Sequence, residues 1–137
     1  MKILVCGGRD FYDEDAVFGA LDQIHQDYGI TTLVHGAARG ADYLAERWAK
    51  YRQVNYKGYP AKWNEHGRGA GPVRNREMLE DNPNIAGVVA FPGGVGTNDM
   101  VSLAKQQGIA VWDLRGGYLE ESSAPFGRKN RGGSSAE

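Results

Sequence analysis

The sequence predicts an α/β fold in which helices cover both faces of a mainly parallel sheet of about five strands. Short apolar runs alternate along the chain with segments whose apolar residues recur at helical spacing. Glycines cluster at the ends of the apolar runs, where strands give way to loops. This alternation is typical of a Rossmann-like three-layer α/β/α domain.

The first half of the chain provides three strands and two helices. KILVC (2–6) predicts a buried strand, and DEDAVFGALDQIHQDYG (13–29) predicts a helix with acids in its first turn and Gly29 as its stop. TTLVHG (31–36) predicts the second strand, and ADYLAERWAKY (41–51) repeats the helical pattern. VNYKGYP (54–60) is a weaker third strand.

The second half continues the alternation after an irregular segment, AKWNEHGRGAG (61–71). A short helix is predicted to begin at Pro72 and to run through Met78 and Leu79, because the missing N–H of proline costs little in a first turn. The fourth strand, fourth helix and fifth strand are IAGVVAF (85–91), NDMVSLAKQQG (98–108) and IAVWDL (109–114). We expect one domain over residues 1–114. Residues 115–137, rich in Gly and Ser without periodicity, predict a flexible tail of which 118–126 can pack back on the body.

Composition and charge exclude several classes of protein. Hydrophobic and charged fractions of 41% and 24% are those of an ordinary globular domain, and a net charge of −1 gives no global attraction to nucleic acid or membranes. The single cysteine, Cys6, excludes a disulfide framework and a multi-cysteine zinc site. No run reaches membrane-spanning length or resembles a signal peptide, so we expect a cytoplasmic protein. The spacing of the three histidines predicts no metal, and no cofactor is expected.

Three loops that follow strands couple glycines to polar residues at a helix entrance: GGRDF (7–11), HGAARGAD (35–42) and PGGVGTND (92–99). Ligands of open parallel sheets bind outside the carboxyl ends of the strands. Glycine lets backbone amides approach a ligand closely, and a helix N-terminus adds partial positive charge. The loops therefore predict a phosphate-bearing ligand, although neither a P-loop motif nor G-x-G-x-x-G is present.

Four ordered motifs carry a resemblance to a known family. VCGGRD, HGAARGADYLAERWA, GPVRNREML and FPGGVGTNDM resemble the YspA/YpsA-type branch of the SLOG superfamily over roughly residues 1–114. That superfamily also holds the LOG proteins, once described as lysine decarboxylases, and the DNA-processing protein DprA. The resemblance implies a Rossmann-like sheet that binds nucleotides or nucleotide-derived molecules, and it implies a homo-oligomer.

The resemblance to the LOG enzymes is incomplete at two positions. These enzymes hydrolyse the N-glycosidic bond of a nucleoside 5′-monophosphate, and their signature pairs R-K-x-x-M with P-G-G-x-G-T-x-x-E. Arg74 and Met78 match the first pattern, with Asn75 in place of Lys. The final Glu of the second falls on Met100, which we expect to pack on the sheet. The rest of the second pattern is matched by Pro92, Gly93, Gly94, Gly96 and Thr97.

The candidate ligand-binding residues lie in these loops and motifs. The guanidinium of Arg74 suits a phosphate, whereas Arg9 and Asp10 either contact phosphate and ribose or form a local ion pair or cap. His35 is more typical of a hydrogen-bonded structural group than of a general base. The candidates are Gly7, Gly8, Arg9, Asp10, Gly36, Arg39, Arg74, Asn75, Pro92, Gly93, Gly94, Gly96 and Thr97.

The candidate catalytic carboxylates are Asp42, Glu77 and Asp99, with Asp10 as a further candidate. Asp42 either caps its helix or reaches the sugar. Asp99 stands one residue before the position of the LOG Glu, which on a helix rotates the side chain by about 100°. Trp63, in the irregular segment, either stacks on a base or covers the edge of the sheet.

Three functions compete on this sequence. The first is a ligand-binding module that senses or sequesters a nucleotide-derived molecule, which Met100 favours because it provides no carboxylate. The second is a LOG-like nucleotide hydrolase with a carboxylate from another loop, so that the enzyme question stays open. The third, single-stranded nucleic-acid binding as in DprA, is disfavoured by the near-neutral charge.

Overall fold

A computed structural model describes residues 1–116 of the 137-residue chain. Five strands form one sheet in the order β3-β2-β1-β4-β5, and all four pairings are parallel. The predicted α/β fold with a parallel sheet is thereby confirmed. The strands are β1 (Lys2–Cys6), β2 (Thr32–His35), β3 (Asn55–Gly58), β4 (Ile85–Ala90) and β5 (Ala110–Asp113).

Helices cover both faces of this sheet. Two of them, α1 and α2, pack against each other on one face, and α4 and α5 pack against each other on the other. No helix within the described residues is long and apolar enough to cross a membrane. The helices are α1 (Glu14–Tyr28), α2 (Ala41–Arg52), the short α3 (Trp63–His66), α4 (Ala70–Asp81) and α5 (Val95–Gln106).

The alternation of side chains along β1 divides the core in two. Successive residues of a strand point to opposite faces, so Ile3 and Val5 join the core beneath α1 and α2. Leu4 and Cys6 join the core beneath α4 and α5. Burial raises the pKa of the Cys6 thiol well above its usual range, so this cysteine is an unreactive core residue, as predicted.

Met100 belongs to the second of these cores. It is fully buried together with Val101 and Ala104, which confirms the prediction that it packs on the sheet. The side chain at the position of the LOG Glu is therefore part of the hydrophobic interior.

Two helical starts differ from the sequence prediction. The irregular segment contains α3 and a 3-10 turn, Gly67–Gly69, neither of which has a buried residue, so no apolar periodicity marked them. The following helix begins at Ala70, which puts Pro72 inside the first turn. The last helix begins at Val95 and not at Asn98, because its first turn includes residues of the glycine-rich loop. The predicted tail lies outside the described residues from position 117 onward.

Candidate ligand-binding site

A cavity of about 910 Å³ opens at the carboxyl end of the sheet. It lies where β1 pairs with both β2 and β4, so that the crossover connections leave the sheet on opposite sides. Its volume is at the upper end of the range for small-molecule sites. All the predicted ligand-binding residues line this cavity: Gly7, Gly8, Arg9, Asp10, Gly36, Arg39, Arg74, Asn75, Pro92, Gly93, Gly94, Gly96 and Thr97.

The three glycine-rich loops lock together around the cavity. The Gly8 N–H donates to the Pro92 carbonyl at 2.8 Å, and the Gly8 carbonyl accepts from the Ala41 N–H at 3.1 Å. A Cβ on residue 93 would lie 2.2 Å from the Thr97 hydroxyl oxygen. Gly40 combines a φ of 78° with a Cβ position 2.3 Å from the Gly8 carbonyl oxygen. These glycines therefore serve the packing of one loop against another.

The N-terminus of α5 opens into the same cavity. Its N-cap is Gly94, which has no side chain to cap the helix. The N–H groups of the first turn, at 95–97, lack intrahelical acceptors because of helix geometry. A Cβ on Gly94 or Gly96 would meet no heavy atom within 4 Å, so the backbone here is open to a ligand. Free N–H groups and the positive end of a helix dipole make this turn an anion-binding element.

Arg74 projects from α4 into the cavity and is partly buried. Its Nη1 donates to the carbonyls of Gly36 and, at 3.4 Å, Tyr59, and its Nε donates to the Asn75 side chain at 3.1 Å. Burial lowers the pKa of Arg74, and nearby Asp42 opposes that change. An arginine nevertheless stays protonated in proteins. The hydrogen bonds fix the guanidinium while leaving its positive charge available to an anion.

Asp42 is buried at the edge of the same cavity, with 5% of its surface exposed. It does not cap α2, since the N-cap is Gly40 and Asp42 lies within the first turn. Its Oδ2 accepts from the Ala38 N–H at 3.2 Å. Burial raises the pKa of Asp42 to about 6, although His35 and Arg74 act in the opposite direction. The cavity therefore holds a carboxyl group that titrates near neutrality.

The other two candidate carboxylates do not line the cavity. Glu77 lines a separate pocket of about 110 Å³ beside Lys62 and His66. Asp99 accepts a hydrogen bond from the Asn75 amide at 2.9 Å. Within residues 1–116, Asp10 and Asp42 are the carboxylates that line the large cavity, and no cluster of His, Cys, Asp or Glu could hold a metal ion.

His35 is occupied on both ring nitrogens. Its Nδ1 accepts from the Ala37 N–H at 2.9 Å, so the ring proton lies on Nε2, which is 2.8 Å from Glu46. The residue is buried and does not line the cavity. These contacts confirm the interpretation of His35 as a structural group.

The rim of the cavity carries an ion pair between two loops. Asp10 pairs with Arg39 at 3.0 Å, and Arg39 also donates to the Arg9 carbonyl at 3.2 Å. Both paired side chains are mostly exposed, so the pair contributes little to stability. The local ion pair considered for Asp10 thus forms with Arg39 of the next loop, not with Arg9.

Sequence reasoning missed part of the cavity wall. Pro60, Ala61, Gly71 and Val95 line it together with Trp63, for which the sequence allows either stacking on a base or covering of the sheet edge. Pro60 and Ala61 follow β3 closely, so the rule that ligands bind beyond strand ends was a sufficient signal for them. Gly71 had no such signal, because it lies in the first turn of a helix.

Comparison with known proteins agrees with this architecture. Residues 1–66 match the YspA, cpYpsA-related SLOG family. The Gene 61 protein of Mycobacterium phage D29 is 40% identical over 119 residues, an alignment that covers 80% of this chain and 93% of the phage protein. DNA processing protein A (DprA) from Streptococcus pneumoniae is similar in structure, with a TM-score of 0.65 at 16% identity. That match covers 82% of this chain and 49% of DprA, so the chain spans about half of DprA and the likeness concerns the fold.

Proposed function

The chain belongs to the YspA, cpYpsA-related SLOG family, as its four motifs predicted, and we propose that it binds a nucleotide or nucleotide-derived, phosphate-bearing molecule. The observation that carries this proposal is the presence of two separate anion-binding elements in one cavity. These are the uncapped N-terminus of α5 and the guanidinium of Arg74.

The charge of Arg74 supports a phosphate as the group that is bound. Its hydrogen-bond partners are two carbonyls and an amide, all neutral. Asp42 is near enough to raise the pKa of Arg74, but among residues 1–116 no carboxylate is hydrogen-bonded to the guanidinium. A partly buried cation attracts an anion more strongly than an exposed one, because water screens it less. Charge-assisted hydrogen bonds from the guanidinium and the first turn of α5 would hold the phosphate oxygens.

The remaining polar groups suit a sugar. Asp42 and Asp10 line the cavity and are hydrogen-bond acceptors when ionised, which is what ribose hydroxyl groups need. A volume of about 910 Å³ leaves room for a base beyond phosphate and sugar. The proposed ligand class is therefore consistent with the charge, the acceptors and the size of the site.

Hydrolysis of the N-glycosidic bond is a second candidate function, which one observation favours. Asp42, with a pKa of about 6, can give and accept protons near neutral pH. Binding without hydrolysis is the first proposal because the LOG Glu position holds Met100, which is buried in the core. The homo-oligomeric state, the cytoplasmic location and the domain limit at residue 114 stay predictions.

One experiment distinguishes binding without hydrolysis from hydrolysis. The protein is incubated with AMP, GMP, CMP and UMP, its thermal stabilisation is measured, and the nucleotides are then analysed by chromatography. We expect stabilisation by at least one nucleotide that is recovered intact. Release of free base and ribose 5-phosphate would instead establish the hydrolase.

Matched variants of two arginines on α4 test whether the nucleotide binds in this cavity. Arg74→Ala is expected to lower nucleotide affinity by about tenfold or more, which is the usual effect of losing a hydrogen-bonded charge. Arg76→Ala, two residues along the same helix and exposed, is expected to leave affinity unchanged. Equal affinity in wild type and Arg74→Ala, or no binding of any of the four nucleotides, would contradict the proposal.

A further inference from the structure

Trp63 is a half-exposed indole on the wall of the cavity. It is 51% exposed, whereas Trp48 and Trp112 are almost completely buried. Together with Pro60 and Ala61, it forms an apolar part of a wall that is otherwise rich in glycine and charged groups. A large apolar side chain in such a place is typical of a binding surface.

The fold itself makes little use of Trp63. Neither α3 nor the turn Gly67–Gly69 contains a buried residue, so no core contact requires an indole here. The indole Cη2 lies 3.9 Å from the position that a Cβ on Gly71 would occupy in the first turn of α4, which is an ordinary van der Waals distance. Among residues 1–116 the ring has no aromatic or cationic partner. Its surface is available to a ligand.

Phe11 provides the contrast within the same cavity. It also lines the cavity, but its ring is stacked on Phe91 with centroids 5.8 Å apart and packs against the core. Phe11 is therefore engaged in the fold. Of the aromatic side chains that line the cavity in the described chain, Trp63 is the one without such a partner.

The N-terminus of α5 and Trp63 stand on different parts of the sheet, and Arg74 lies between them. Its guanidinium donates to the Gly36 and Tyr59 carbonyls on the side of Trp63 and to Asn75, which bonds the first turn of α5, on the other side. The loop to Trp63 follows β3, and the α5 N-terminus follows β4, three strand positions away. With neighbouring strands about 4.8 Å apart, the ends of these two strands are separated by about 14 Å. A molecule that touches both walls must be extended, with an anionic group at one end and an apolar, flat group at the other.

We infer that Trp63 recognises the base of the bound nucleotide by stacking its indole ring on it, so that affinity requires an aromatic base in addition to the phosphate. This inference rests on the proposed function and specifies the ligand further. Inorganic phosphate or ribose 5-phosphate would occupy only the part of the cavity beside the first turn of α5 and Arg74, and neither carries a base that could stack on the indole ring. Every base has a flat π-face, so stacking selects for the presence of a base more than for its identity.

Binding of AMP, with GMP, CMP and UMP in parallel, is compared with binding of ribose 5-phosphate in wild type and Trp63→Ala by calorimetry. Stacking on an aromatic side chain predicts that Trp63→Ala weakens nucleotide binding by about 5- to 100-fold while ribose 5-phosphate affinity stays within about twofold. Trp63→Phe should retain much of the nucleotide affinity. Tyr43→Ala is the control, because Tyr43 is 52% exposed and does not line the cavity.

Tryptophan fluorescence gives a second readout. Because Trp63 is the exposed tryptophan of the described residues, nucleotide binding should change emission in wild type and not in Trp63→Phe, whereas ribose 5-phosphate should leave it nearly unchanged. Nucleotide affinity that survives Trp63→Ala, or an equal loss for nucleotide and ribose 5-phosphate, overturns the inference alone. Absence of nucleotide binding to the wild-type protein overturns the proposed function, and the inference with it.

Discussion

The side-chain amide of Asn75 donates a hydrogen bond of 2.9 Å to the carboxylate of Asp99, joining α4 to the first turns of α5. The same amide donates to the Gly96 carbonyl at 3.2 Å, and the Asn75 oxygen accepts from Arg74 at 3.1 Å. One buried side chain thus connects the two elements that we propose to hold the phosphate. Asp99 is engaged in this connection and does not line the cavity.

Asn75→Ala is expected to lower both stability and nucleotide affinity. It leaves Arg74 without one acceptor and frees the start of α5, at a cost of about 1–3 kcal/mol in the free energy of unfolding. Denaturant unfolding and calorimetry measure the two effects. Asp99→Ala is the matched variant, since the bond from Asn75 to Gly96 survives in it. Its nucleotide affinity should stay within about twofold of wild type, and a complete loss would show that Asp99 contacts the ligand after all.

Gly94→Asp is expected to weaken nucleotide binding while preserving the fold. A Cβ at this position meets nothing within 4 Å, and an Asp at the N-cap can accept from the N–H groups of the first turn of α5. Thermal stability should therefore be unchanged or slightly higher, by a few tenths of a kcal/mol. The added carboxylate would occupy the phosphate site and repel the phosphate group, so nucleotide affinity should fall by about tenfold or more.

Gly93→Ala is the contrasting neighbour, because its Cβ would lie 2.2 Å from the Thr97 hydroxyl oxygen and 2.7 Å from the Gly8 nitrogen. It should lower the melting temperature, whereas Gly94→Asp should not. Equal destabilisation by the two substitutions would contradict the division between packing glycines and open glycines.

The buried carboxyl of Asp42 makes stability depend on pH in a predictable direction. Burial raises its pKa from 3.8 to about 6, so the folded state binds more protons than the unfolded state between these values. The contribution of Asp42 is fully present below the unfolded pKa and is lost as the pH rises through about 6. The corresponding upper limit is about 3 kcal/mol of lost stability above pH 6.

Asp42→Asn removes this dependence. The melting temperature of the variant relative to wild type should be higher at about pH 8 than at about pH 4. A difference that does not change with pH would mean that Asp42 does not titrate in this range. Ligand binding gives a second check, since Asn cannot act as an anionic acceptor for ribose hydroxyls.

Met100→Glu completes the second LOG pattern, P-G-G-x-G-T-x-x-E, and is expected to destabilise the protein. Met100 is fully buried among apolar side chains, so a carboxylate there lowers the free energy of unfolding by about 3 kcal/mol or more. Met100→Leu should cost less than about 1.5 kcal/mol. Denaturant unfolding of both variants tests the pair. A stable Met100→Glu protein that releases base from a nucleotide would show that this position reaches the site.

The strands and the loops of the site were predictable because their signals are local. β1 begins and ends where its apolar run does, and every glycine-rich loop predicted from strand ends lines one cavity. The sequence predicts that α5 begins at Asn98, three residues after its true start at Val95. The prediction is late because glycine has a low helix propensity, although a first turn tolerates it.

The contacts between helices were not predictable from the sequence. The Asn75–Asp99 hydrogen bond joins residues that are far apart along the chain, and only the packing of α4 on α5 brings them together. Glu77 lies one turn after Arg74, yet it lines the smaller pocket, because residue spacing does not tell how a helix is rotated about its axis. Which carboxylate enters the cavity is thus a property of the tertiary structure.

The hydrogen bond from Gly8 to Pro92 has a consequence for how the protein reaches its native state. Gly8 and Pro92 lie far apart along the chain, so this bond, like the pairing of β1 with β4, requires the closure of a very long loop. Closing long loops is slow compared with forming local helices. The cavity between the glycine-rich loops is therefore incomplete in partly folded chains, so the proposed ligand would bind fully folded molecules and not partly folded ones.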